Sequence, residues 1–128
     1  MVAFFGMLPF SSAKHYPMTG DTSVPGATGT VTVQKDKDNG NVKVDVKVEH
    51  LANPVSLTPP ANTYLVWVRA NGGDAVKEGA IRVDKNLSGD LKVVTTSKEF
   101  DIFITPEQSD SVSAPATLQV LKAHVNPL

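Results

Sequence analysis

The chain has 128 residues, 41% of them apolar and 20% charged, with a net charge of −1 and no cysteine. That length suits one domain with a real core, and interspersed charge of near-zero sum leaves no footprint for nucleic acid or an anionic membrane surface. The missing thiols exclude disulfides, cysteine nucleophiles, thiolate-held zinc and iron–sulfur clusters, and 6% aromatic residues are too few for a base-stacking platform.

In chain order, Met1 to Phe10 is an apolar stretch followed by Ser11, Ser12 and Ala13. It has the length and small-residue ending of a secretory signal, with cleavage expected near Ala13, although no basic residue precedes Lys14. Residues 1–13 are therefore expected to be a signal-peptide remnant or an apolar N-terminal segment, and 14–128 a single domain. The stretch is too short to span a bilayer, which takes about 20 apolar residues. Export to the periplasm or the exterior is the expectation.

Residues 29–35 alternate through Val31 and Val33, and 36–41 form a polar turn around Asn39-Gly40, a strong hairpin signal. The next run is the clearest in the chain. A period of two from 42 to 48 puts Val42, Val44, Val46 and Val48 on one face and Lys43, Asp45 and Lys47 on the other. Alternation breaks at His50-Leu51, so a bulge or strand end is expected there. Residues 52–62, with Pro54, Pro59 and Pro60, cannot be an interior strand and should cross between sheets.

Residues 63–70 contain Tyr64-Leu65-Val66-Trp67-Val68, apolar on both faces as in a strand covered on both sides. Trp67, the only tryptophan, is the expected core centre, lodged between two sheets. A turn at 71–74 leads to a strand at 75–83, where Gly79 marks a bulge or a close backbone approach. After a polar turn at 84–89 come strands at 90–95 and 99–105, the latter placing Phe100, Ile102 and Ile104 on one face. A Ser/Pro-rich loop at 106–116 precedes a last strand at 117–125. Seven strands without a sustained helical period predict an all-β, immunoglobulin-like two-sheet antiparallel sandwich. Its core should hold Trp67, Tyr64, Val44, Val46, Phe100 and Ile102.

Chemistry-bearing patterns are sparse. Asp84-x-Asn86-x-Ser88 and Asp36-x-Asp38 resemble openings of calcium loops, but the twelfth loop position is Thr95 or Lys47 rather than the bidentate glutamate such a loop needs. These are also the residues that tight turns prefer. His15, His50 and His124 form no paired metal motif, no nucleophile elbow occurs, and Gly72-Gly73 lacks the context of a phosphate loop. No catalytic residue is nominated, no cofactor is expected, and the chain is read as a non-enzyme.

The run Tyr64 to Val68 with Trp67, then Gly72-Gly73, Gly79, Val83-Asp84, Gly89, Phe100 to Glu107 and Pro115, resembles the C-terminal extracytoplasmic domain of the anti-sigma-K factor family. The likeness covers about 62–125. It implies a β-sandwich outside the cytoplasm. The sigma-binding and membrane segments of such regulators have no counterpart here, so sigma-factor regulation is not implied.

Three functions follow as expectations. The first is a non-catalytic exported envelope module that binds a protein partner through loops 52–62, 70–74 and 106–116. The second is a structural subunit that self-assembles by strand addition through Met1 to Phe10. The third is a hydrolase or metal enzyme, which requires His50 or His124 to meet a carboxylate in a cleft.

Overall fold

The computed structural model describes residues 13–36 and 38–126. The signal-peptide expectation for 1–13 therefore lies outside the described residues, Ala13 excepted. The described residues form nine strands: β1 (Lys14–Pro17), β2 (Thr19–Gly20), β3 (Thr28–Lys35), β4 (Val42–Glu49), β5 (Thr63–Ala70), β6 (Ala75–Ile81), β7 (Gly89–Thr95), β8 (Phe100–Glu107) and β9 (Leu121–Val125). They build two antiparallel sheets, ordered β1-β3-β4-β7 and β2-β9-β8-β5-β6. The all-β two-sheet sandwich stands, with nine strands rather than seven. The two additions, β1 and β2, are short pieces either side of Met18 that belong to opposite sheets. Pieces of four and two residues carry too little alternation to announce themselves.

The β3–β4 hairpin turns at Asn39-Gly40, where Gly40 takes the positive φ of 75° that a tight turn demands. Along β4 the four valines are buried while Lys43 and Lys47 are exposed, so one face is dry and the other wet. The strand stops at Glu49 because His50 adopts φ 57°. Residues 50–62 then carry the chain to the other sheet, and the Tyr64 hydroxyl ties that crossing down by donating to the Ala52 carbonyl at 2.6 Å. Burial pushes the Tyr64 phenol up to about 12. The bulge expected at Gly79 is present: Val66 faces Gly79 and Trp67 faces Lys77, leaving Glu78 as the extra residue.

The main core fills the space between the sheets. Val31, Val33, Val44, Val46 and their neighbours from one sheet meet Tyr64, Val66, Val68, Phe100, Ile102 and Ile104 from the other. Trp67 is fully buried but is not part of it. By the parity of β5, Leu65 and Trp67 point away from the first sheet, and with Phe103 they form a second small cluster on the outer face of the five-stranded sheet. The expected central indole is therefore an outer-face residue. Its cover is a loop rather than a sheet: Val112 packs on the cluster, and Lys77 Nζ donates to the carbonyls of Asp110 and Val112.

The last expected strand is shorter than 117–125, because Val120 and Leu121 are both buried in sequence and regular pairing starts only at Leu121. No helix of the described residues is long and apolar enough to cross a membrane.

Candidate functional site

Strand register lays the outer face of the five-stranded sheet out in rows. One row runs Lys77, Trp67, Phe103, Lys122, Thr19; the next runs Arg69, Asp101, His124. The loop following β8 closes over the part holding Leu65 and Trp67. The rest stays open as a groove of about 380 Å³ bordered by Thr19, Arg69, Asp101, Phe103, Lys122 and His124.

The closed part is held by a buried polar chain. Trp67 Nε1 donates to Thr105 Oγ1 at 2.8 Å, Thr105 Oγ1 donates to Glu107 Oε2 at 2.6 Å, and the Ala116 N–H donates to the same Glu107 oxygen at 2.8 Å. Each buried polar group thus has a partner, as burial requires, and the carboxylate anchors the returning end of the loop.

The open part is set by charge. His124 Nδ1 lies 2.7 Å from Asp101 Oδ1 and Nε2 lies 3.1 Å from Glu99 Oε2. The hydrogen bond to Asp101, then that to Glu99, raises the imidazole above its ordinary pKa. Both nitrogens donate in the charged form, which holds β9 to β8 and to the residue preceding it. This arrangement meets the condition stated for a catalytic histidine, a carboxylate beside it in a groove. A general base, however, needs a free nitrogen within reach of the proton it takes, and here both are engaged.

Arg69 behaves differently. Asp101 stands directly across from it in the register, yet that carboxylate turns to His124. The guanidinium lies instead over the Phe103 ring, 5.1 Å from its centroid. Among the described residues it has no hydrogen bond or ion pair. A guanidinium over an aromatic face keeps its N–H donors available for a further partner.

The residues singled out as cation ligands act as turn formers. Asp84 Oδ1 accepts the N–H groups of Asn86 and Ser88 at 2.8 and 3.0 Å, and Asp36 Oδ1 accepts that of Asp38 at 2.9 Å. The two turns flank opposite ends of the β4–β7 pair, so the fold does not bring them together. Among the described residues there is no group of three His, Cys, Asp or Glu side chains placed to hold a metal ion. His15 bonds Thr32 at 2.9 Å on the outer face of the other sheet.

Two of the three recognition loops lie together and the third lies apart. Loops 52–62 and 106–116 are tied to each other through Asn62 Nδ2 donating to the Gln108 carbonyl and Gln108 Nε2 donating to that of Pro60, both within 2.9 Å. Loop 70–74 lies at the opposite end of β5. Loop 106–116 also serves as cover for Trp67 through Val112.

Reading the sequence without register missed Arg69, Asp101, Phe103 and Lys122. It also missed a carboxylate pair, Asp45 and Asp90, on the outer face of the four-stranded sheet. Burial first, then a bond to Asp90, raises Asp45, while Asp90 is lowered by that same bond. Lys92 sits 2.9 Å from Asp90 and 3.8 Å from Asp45. Outward parity was the available signal, but pairing across strands needs the register.

No protein-family model matches the chain, and no curated protein matches it.

Proposed function

We propose that the protein is a non-catalytic binding module of the bacterial envelope, exported from the cytoplasm, which meets its partner on the open part of the outer face of the five-stranded sheet. The carrying observation is the contrast within that groove. His124 is saturated by two carboxylates, whereas Arg69 offers an unpaired fork on a rigid aromatic floor. Such a pairing suits recognition better than turnover. The likeness of residues 62–125 to extracytoplasmic domains and the apolar start of the chain support export. A photo-crosslinking side chain placed at Lys122 in the native cells should yield a discrete adduct, and one at Lys47 on the opposite sheet should not. Adducts at neither position, or equally at both, would overturn the reading.

Self-assembly by strand addition is favoured by a different observation. Of the four sheet edges among the described residues, β1 and β2 are short and β6 is bulged at Glu78, while β7 is seven residues long without bulge or proline. Exposed Val94 lies along it. Regular edges without a bulge accept strands. The proposed donor, Met1 to Phe10, lies outside the described residues. Sedimentation showing a monomer at every concentration would remove this reading.

A further inference from the structure

The geometry points to a carboxylate as the group that the groove takes, held by the guanidinium fork of Arg69 with Lys122 as the second positive charge. This inference rests on the binding reading above and names its chemistry.

Three features carry it. The first is preorganisation. Phe103 is 1% exposed and sits on a central strand, so the ring is a fixed floor and the stacked guanidinium loses little freedom when it binds. A planar fork matches a planar carboxylate through two parallel N–H···O bonds.

The second is the disposition of neighbouring acids. Asp101 is engaged by His124 Nδ1 and Glu99 by Nε2, so neither forms an ion pair with Arg69. Asp21, the other acid near Lys122, accepts the Ser23 N–H at 2.9 Å and also feels the Lys122 charge, so Lys122 is the weaker of the two cations.

The third is charge balance. Even with His124 protonated, Arg69, Lys122 and His124 are matched by Asp101, Glu99 and, beside Lys122, Asp21, so the groove has no net positive field to hold a dianion. Recognition then falls to the directed fork of Arg69, which suits a planar monoanion. A phosphate dianion would be left partly uncompensated beside two carboxylates.

Nitrogen-15 NMR on the full chain tests this, following the Arg69 Nε–H signal and the amides of Phe103 and Lys122. Sodium acetate, a hexaglutamate peptide and inorganic phosphate are the probes, each titrated at ionic strength held constant with sodium chloride. Saturable shifts are expected with acetate or the peptide and weaker ones with phosphate. Arg69→Gln should weaken binding about tenfold or more. Lys122→Gln, on an exposed position, gives a second measure should the first variant fold poorly, with a loss of about threefold. A peptide that binds far more tightly than acetate identifies acidic polypeptide as the source; equal binding identifies a small free carboxylate. No saturable shift, tightest binding of phosphate, or binding unmoved by both substitutions would overturn the inference. Crosslinking at Lys122 without carboxylate binding would sink it while leaving the binding reading intact.

Discussion

The indole N–H of Trp67 donates to the Thr105 hydroxyl at 2.8 Å, joining adjacent strands β5 and β8 on the sheet's outer face. Because Thr105 in turn donates to buried Glu107, one hydroxyl serves two buried groups. Thr105→Val keeps the shape but leaves the indole N–H unpaired and takes one donor from the carboxylate. An orphaned buried group costs about 1–3 kcal/mol. We expect a loss of that order in urea denaturation, against about 3–5 kcal/mol for Trp67→Ala. An unchanged midpoint for Thr105→Val would show that the chain is not structural.

His124 makes stability depend on pH. Its folded pKa is raised above the ordinary 6.5 by Asp101 and Glu99. A raised value means that the folded state holds the proton more tightly. The contribution is complete below 6.5 and disappears as pH climbs through the folded value. The denaturation midpoint of the native chain should therefore exceed that of His124→Gln at acidic pH, and the two should converge at alkaline pH. A gap that widens with rising pH would contradict the clamp.

The Asp45–Asp90 pair carries the opposite sign at one member. Asp45 is raised above 3.8, so its ionisation in the fold opposes folding at neutral pH, and Lys92 at 3.8 Å offsets this only in part. Its Oδ1 is buried without a partner. Asp45→Asn should be neutral or stabilising at neutral pH, by up to about 1 kcal/mol. The gain should vanish below 3.8, where Asp45 is protonated in both states. Urea midpoints at neutral and acidic pH decide the matter; a variant weaker at neutral pH would mean that the Lys92 pairing outweighs the repulsion.

Gly89 opens β7 against the chain's own backbone. A Cβ there would lie 2.6 Å from the Arg82 carbonyl oxygen and 3.2 Å from Ile81 Cγ1. Neither backbone nor packed core yields easily, so Gly89→Ala should cost about 1–3 kcal/mol. Gly20→Ala, whose Cβ meets nothing nearer than 3.4 Å, is the control. Equal thermal midpoints for the two variants would show that the approach relaxes freely.

Alternation alone determined much of this protein: the two faces of β4, the hairpin at Asn39-Gly40, the bulge at Gly79 and the sandwich class all follow from period-two patterning and from residues that tolerate positive φ. Such signals are local, and they survive any choice of strand partner. The groove was not legible in the same way. Arg69, Asp101 and His124 are 32 and 23 positions apart in the chain and meet only because β5, β8 and β9 pair in one register. Trp67 shows the same limit from the other side. Its strand was apolar on both faces, so hydrophobicity could say that the indole is buried but not on which face. That was decided by the pleat, and by a loop whose Val112 supplies the cover and whose returning end Glu107 anchors.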